Sequence, residues 1–77
     1  GIKTIGASEK ASKALYDINL KEPLALIMGS EGKGISKSVL NLLDEQAALP
    51  LMGSINSLNV SVACGVFLYE VIRQRGY

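Results

Sequence analysis

The fold is indicated most directly by residues 24–34, which read LALIMGSEGKG. The first five residues form an uninterrupted apolar run, and a run of that length is typical of a strand buried on both faces of a parallel sheet. Gly29 ends the run and opens a loop that contains three glycines. An amphipathic helix is predicted over residues 35–43. Its inward side chains are predicted to be Ile35, Val39, Leu42 and Leu43.

Strands and helices alternate in the rest of the chain. A short strand is predicted over residues 2–5 and a weak helical stretch over residues 8–17. Another short strand is predicted over residues 46–51, where Pro50 suits a strand end or a sheet edge. The strongest helical pattern covers residues 59–74. This order predicts one small α/β domain with a parallel sheet.

Composition suggests that the chain needs a covering partner. It has 77 residues, 48% of them hydrophobic, and a mean hydropathy of +0.27. A domain of this size leaves much of its surface in water, so some apolar surface is expected to pack against another part of the polypeptide or a second subunit. The chain begins with Gly1 and enters an apolar, β-branched stretch at once. We therefore expect it to be a piece of a longer protein.

Charge and cysteine content exclude several functional classes. Eight Lys and Arg against seven Asp and Glu give a net charge of +1, so any contact with RNA is expected to be local. With a single cysteine, Cys64, and no histidine, the sequence predicts neither an internal disulfide nor a structural metal site. It shows no signal-type segment and no apolar run that could span a bilayer, so a cytoplasmic location is expected.

The glycine-rich loop lies where α/β proteins bind ligands, between a strand and the following helix. It does not match a phosphate-binding Walker A loop, because Ile35 stands where that motif requires lysine, and the glycines lack dinucleotide-binding spacing. From the residues alone, a plain turn and a ligand-binding loop both remain open.

Two segments resemble conserved motifs of one enzyme family. Residues 24–35 are similar to the second motif, and residues 49–63 (LPLMGSINSLNVSVA) to the third motif, of the SpoU (TrmH-like) branch of the SPOUT RNA ribose 2′-O-methyltransferases. Together with residues 71–75 (VIRQR), they are most similar to the bacterial enzymes that methylate a guanosine of 23S rRNA. The resemblance implies that residues 1–77 are the carboxy-terminal part of one α/β-knot catalytic domain, with a deep trefoil knot.

The resemblance also implies an activity, which is methyl transfer from S-adenosyl-L-methionine to a ribose 2′-hydroxyl of structured RNA, ribosomal RNA foremost, without a metal. Backbone groups at Gly29, Leu49 and Leu58 are expected to contact the cofactor. The implied catalytic residues are Glu31, Ser57 and Asn59, whose side chains can orient a hydroxyl by hydrogen bonding. A first motif that carries an Arg and an Asn in the family is absent from this chain, so the catalytic set is expected to be incomplete.

Each assignment has an alternative. Glu31 can be a solvated loop acid, and Ser57 and Asn59 can serve as helix caps. The RNA can be a tRNA, and the chain as it stands can be a non-catalytic module for cofactor binding or dimerisation. The last helix is apolar nearly all round and contains several small residues, so it is expected to be buried on several sides and to form part of a homodimer interface.

Overall fold

A computed structural model describes residues 1–29, 34–49 and 60–76. Its elements follow the order strand, turn, strand, helix, strand, helix. They are β1 (Lys3–Ala7), a 3-10 turn (Leu15–Asp17), β2 (Leu24–Ile27), α1 (Lys37–Leu40), β3 (Glu45–Ala47) and α2 (Val60–Arg75).

The three strands form a parallel sheet in the order β2-β1-β3. Ile5 of β1 is in register with Leu26 on one side and with Glu45 on the other. The parallel sheet is as predicted, but burial of β2 on both faces is not found. Leu24 and Leu26 are half-buried against the core, whereas Ala25, on the opposite face, is exposed.

The hydrophobic core lies on one face of the sheet, beneath α2. Ile5 of β1 and Phe67 of α2 are buried in it. Side chains alternate between the faces of a strand, so Ala7 shares this face with Ile5 and packs against the same cluster. The other buried members are Leu15, Ile18, Leu20 and Ala47.

The opposite face of the sheet contacts the α1 region through Gly6. A β-carbon at Gly6 would overlap the side chain of Leu43 and lie 3.2 Å from that of Ile35 and 3.7 Å from that of Leu40. Those three side chains therefore lie over β1, as predicted for Ile35 and Leu43.

The predicted inward positions of Val39 and Leu42 are wrong, because these residues are 39% and 82% exposed. The helix is a single turn that begins after Ser36, whose hydroxyl accepts a 3.4 Å hydrogen bond from the Val39 N–H. It ends before Asn41. A helix of one turn cannot continue the amphipathic face expected over residues 35–43.

The weak helix predicted over residues 8–17 is also wrong apart from the 3-10 turn. The backbone around Ala14 makes a parallel bridge to Ala48 instead. The Leu15 N–H donates to the Ala48 carbonyl at 2.8 Å, and the Ala48 N–H donates to the Lys13 carbonyl at 2.9 Å. The backbone groups of Lys13 and Leu15 thus bond to the end of β3 and are not free to form the hydrogen bonds of a helix.

The long terminal helix is confirmed, and α2 runs from Val60 to Arg75. Gly76 ends it with φ of 72°, a conformation that favours glycine. Burial on several sides is not found within the chain, since only Phe67 and Glu70 of α2 are buried. The predicted cap Ser57, and the part of the third predicted strand beyond Leu49, lie outside the described residues.

Candidate functional site

The carboxyl ends of the three strands meet at one edge of the sheet, because the strands are parallel. Gly29 lies two residues after β2, and Leu49 lies two residues after β3. Ser8 directly follows β1, which is central. Ligands of open α/β folds bind outside the carboxyl ends of strands, so the structure brings two of the predicted cofactor-binding positions to such an edge.

The glycine-rich loop is closed at its base by direct backbone contact. A β-carbon at Gly29 would overlap the backbone of Gly34 and Ile35, so only glycine fits where the two ends of the loop meet. Gly34 has φ of 68°, in the left-handed region. The close contact at Gly29 and the positive φ of Gly34 therefore favour glycine at both ends of the loop.

The end of β3 is fixed by the segment before the 3-10 turn. Ala48 exchanges hydrogen bonds with Lys13 and Leu15, and Ser8 donates its N–H to the Ala47 carbonyl at 2.9 Å. Leu49, the next residue, is half-buried and packs against the core. Residues 13–15 are therefore part of the framework of the site, although a helix was predicted there. Their sequence has no alternation typical of a strand, so this role could not be predicted.

Four of the six predicted site residues lie outside the described residues. They are Glu31, Ser57, Leu58 and Asn59. The described chain resumes at Gly34 after the first gap and at Val60, where α2 begins, after the second. The six positions therefore stand as predictions, with geometry available only for Gly29 and Leu49.

A carboxylate near the amino end of the sheet joins β1 to β3. The Asp44 carboxylate accepts hydrogen bonds from the Thr4 N–H at 2.8 Å and the Thr4 hydroxyl at 3.1 Å, and the Thr4 hydroxyl oxygen accepts one from the Asp44 N–H at 2.9 Å. The hydrogen bond from the Thr4 backbone is the main cause that holds the pKa of Asp44 below its ordinary value. The pair fixes the start of β3 beside β1.

The carboxyl end of α2 carries a polar network centred on Glu70, which is buried. Arg73 donates to Glu70 through Nε at 2.7 Å and through its second guanidinium nitrogen at 2.8 Å. Gln74 donates to the same carboxylate at 2.9 Å. The hydrogen bond from Arg73 is the main cause that lowers the pKa of Glu70, and the carboxylate in turn raises the pKa of Arg73.

The same helix end holds the connection between β1 and β2. The Gln74 side chain donates to the Ile18 carbonyl at 2.9 Å and accepts from the Leu20 N–H at 2.8 Å. Arg75 donates to the carbonyls of Leu20 at 3.0 Å and Glu22 at 2.7 Å. Arg75 therefore holds this connection in addition to placing a positive charge at the carboxyl end of the helix.

The described residues contain neither a metal-binding cluster nor a membrane-spanning helix. Residues 1–29, 34–49 and 60–76 contain no group of three or more His, Cys, Asp or Glu side chains placed to hold a metal ion. None of their helices has the length and apolarity needed to cross a membrane.

Comparison with known proteins identifies the family. The model of the SpoU rRNA methylase family matches residues 1–69. The chain is 48% identical over 75 residues to the 23S rRNA (guanosine-2′-O-)-methyltransferase RlmB of Pseudomonas aeruginosa, an alignment that covers 97% of this chain and 30% of the relative. The chain spans about 30% of the length of this and similar curated relatives.

Solved structures share the fold. The SpoU methyltransferase AviRb of Streptomyces viridochromogenes, in complex with the cofactor AdoMet, superposes with a TM-score of 0.90 at 34% identity, over 96% of this chain and 28% of AviRb. The TrmH/SpoU tRNA modifying enzyme of A. aeolicus superposes with a TM-score of 0.86 at 32% identity, over 99% of this chain and 39% of that enzyme. With a family match over most of its length and relatives of this similarity, the chain belongs to the SpoU rRNA methylase family.

Proposed function

We propose that the protein transfers a methyl group from S-adenosyl-L-methionine to a ribose 2′-hydroxyl of structured RNA, with a guanosine of 23S rRNA as the leading substrate. The similarity to RlmB, 48% identity over nearly the whole chain, is the observation that carries the proposal. The AdoMet complex of AviRb supports the choice of cofactor.

The proposed cofactor site is the carboxyl edge of the sheet, at Gly29, Leu49 and Leu58. Two described features support this site: the backbone of Gly29 meets that of Gly34 and Ile35 there, and the half-buried Leu49 adds apolar surface for an adenosine-bearing ligand. Bound there, S-adenosyl-L-methionine supplies an electrophilic methyl group on its sulfonium.

The proposed roles of the polar residues are orientation and proton handling. Glu31, Ser57 and Asn59 can hydrogen-bond a ribose hydroxyl and hold its oxygen in line for attack on the methyl group. A further base is required if none of these side chains accepts the hydroxyl proton. Each residue is drawn from the family motifs.

Titration calorimetry with S-adenosyl-L-methionine tests the site. We expect saturable binding that Gly29→Ala weakens. Glu31→Ala and Asn59→Ala, which alter residues assigned to the ribose hydroxyl, should retain cofactor binding, as should Glu9→Ala, an exposed acidic control outside the site. Absence of binding by a folded protein would contradict the cofactor assignment. Cofactor binding without methyl transfer to any RNA would favour the alternative of a non-catalytic module.

A tRNA is the second candidate substrate. The 32% identity to the A. aeolicus tRNA modifying enzyme supports it, although the identity to RlmB is higher. Competition between 23S rRNA fragments and bulk tRNA for methylation distinguishes the two, and preferential methylation of tRNA would replace the leading substrate.

We further propose that residues 1–77 form the carboxy-terminal part of a knotted catalytic domain in a cytoplasmic enzyme that works as a homodimer. The dimer is supported by the outer face of α2, where large apolar side chains remain exposed. They are Val62, Val66, Leu68, Tyr69 and Ile72. Light scattering tests the proposed homodimer. The Leu68→Glu variant is expected to be a monomer.

A further inference from the structure

A shallow depression of about 540 Å³ lies between the connection from β1 to β2 and the carboxyl end of α2. Polar and aromatic side chains dominate its lining. The lining includes Tyr16, Asp17, Asn19, Lys21, Arg73 and Gln74. None of them is assigned to the cofactor site. Because the depression is open, it suits a group presented by a larger molecule more than a free small ligand.

The floor of the depression is held rigidly. Gln74 is bonded to the backbone of Ile18 and Leu20, and Arg73 is bonded through two nitrogens to the buried Glu70. The Arg73 side chain is still 63% exposed. Its guanidinium is thus fixed in orientation while part of it faces solvent, so little side-chain entropy is lost when it binds a ligand.

An exposed aromatic ring lines the depression together with this arginine. Tyr16 is 53% exposed although its neighbour Leu15 is fully buried, and it lines the same depression as Arg73. An aromatic ring and a guanidinium plane are the two kinds of surface on which proteins stack unpaired RNA bases.

The charges of the depression favour a base over a run of phosphates. Lys21 and Arg73 are positive, Asp17 is negative, and Glu70 beneath Arg73 offsets part of its charge. A surface with so little net charge binds a polyphosphate backbone weakly, whereas stacking on an aromatic face needs no net charge.

We propose that an unpaired nucleotide of the RNA substrate docks in this depression, with its base stacked on Tyr16 and its phosphate beside Lys21. This rests on the proposed function, because it takes RNA as the substrate. It adds a contact for RNA separate from Gly29 and Leu49, at residues 16–21 and the end of α2.

Fluorescence anisotropy with a labelled single-stranded RNA of mixed sequence, and with the matching duplex, tests the docking site. We expect Tyr16→Ala to raise the Kd for the single strand roughly tenfold, as loss of one stacked base does. Tyr16→Phe retains the ring and should bind nearly as the parent does. Lys21→Ala should reduce the dependence of log K on log salt by about 0.7, the value for one phosphate contact of a single strand. Lys10→Ala, an exposed lysine outside the depression, should leave it unchanged.

The outcomes separate this inference from the proposed function. If the parent protein binds and methylates RNA and Tyr16→Ala binds the single strand equally well, the docking site is wrong and the proposed function stands. If Tyr16→Ala weakens binding of duplex and single strand equally, stacking of an unpaired base is also excluded. If the folded parent binds no RNA, both proposals fail. S-adenosyl-L-methionine binding should be the same in all four variants, and its loss in Tyr16→Ala would overturn the separation of the two sites.

Discussion

Gln74 and Leu20, 54 positions apart in the sequence, are joined by a 2.8 Å hydrogen bond from the Leu20 backbone N–H to the Gln74 side-chain oxygen. The amide nitrogen of the same side chain donates to the Ile18 carbonyl at 2.9 Å. One side chain at the end of α2 therefore satisfies two backbone groups of the connection that leads into β2. The end of the terminal helix is therefore bonded to the connection that precedes β2, the strand that Gly29 follows.

Replacement of Gln74 should destabilise the protein measurably. Gln74→Ala leaves the Leu20 N–H and the Ile18 carbonyl without their partner, at a cost of about 1–3 kcal/mol. Chemical denaturation measures this as a lower midpoint with an unchanged slope. Asn41→Ala, at an exposed amide, is the control and should change stability by less than about 0.5 kcal/mol. Equal effects of the two substitutions would show that the Gln74 contacts contribute nothing.

Glu70 should make stability depend on pH in the acid range. Its pKa is lowered from the ordinary 4.5, chiefly by the hydrogen bond from Arg73. The folded state therefore binds its proton less readily than the unfolded state, so the contribution of Glu70 is complete above pH 4.5 and is lost as pH falls through the lowered pKa.

Glu70→Gln should cost about 1–2 kcal/mol near neutral pH and flatten the decline of stability below pH 4.5. The decline should not vanish, because the pKa of Asp44 is also lowered. Denaturation midpoints measured across this pH range, with Glu9→Gln as the exposed control, test the expectation. A variant with the same acid sensitivity as the parent would refute the assignment.

Gly6 and Gly65 should respond in opposite ways to alanine. Gly6→Ala places a methyl group against Leu43 and should destabilise by about 1–3 kcal/mol, as overpacking does. Gly65 lies in α2 with nothing within 4 Å of the added β-carbon, so Gly65→Ala should stabilise the helix by up to about 1 kcal/mol in the monomer. Thermal unfolding measures both, and destabilisation by Gly65→Ala only where the protein dimerises would support α2 as the interface.

Gly29 should be required for cofactor binding. A methyl group there would separate the two ends of the glycine loop, so Gly29→Ala is expected to weaken S-adenosyl-L-methionine binding at least tenfold. Gly1→Ala, at an open position, is the control. Retention of full affinity by a folded Gly29→Ala variant would argue against this edge as the cofactor site.

The fold was predictable wherever the pattern was strong and local. The apolar run before Gly29 gave β2, and helical spacing around Phe67 gave α2 within one residue at either end of the prediction. The parallel pairing of the strands was predicted from the alternation of strands and helices along the chain. Burial was less predictable because it depends on strand order, which places β1 in the centre and leaves Ala25 of β2 exposed.

Long-range hydrogen bonds account for the other errors. Ala14 forms a bridge with Ala48 where a weak helix was predicted. The sequence around Ala14 contains no pattern that identifies Ala48 as its partner. The contacts of Gln74 and Arg75 with residues 18–22 were likewise invisible in the sequence, although residues 71–75 stood out as a family-like segment. The candidate site residues could be predicted chiefly from the resemblance to family motifs. Of the six positions, Gly29 and Leu49 lie among the described residues.

Methyl transfer to RNA is the most direct test of the central claim. The complete enzyme, of which residues 1–77 are proposed to be the carboxy-terminal part, should be incubated with labelled S-adenosyl-L-methionine and 23S rRNA that lacks the modification, and the product nucleosides identified by mass spectrometry. The account predicts 2′-O-methylguanosine from the rRNA and far less product from tRNA. Methylation of a base, or no product from a folded protein that binds both cofactor and RNA, would contradict it.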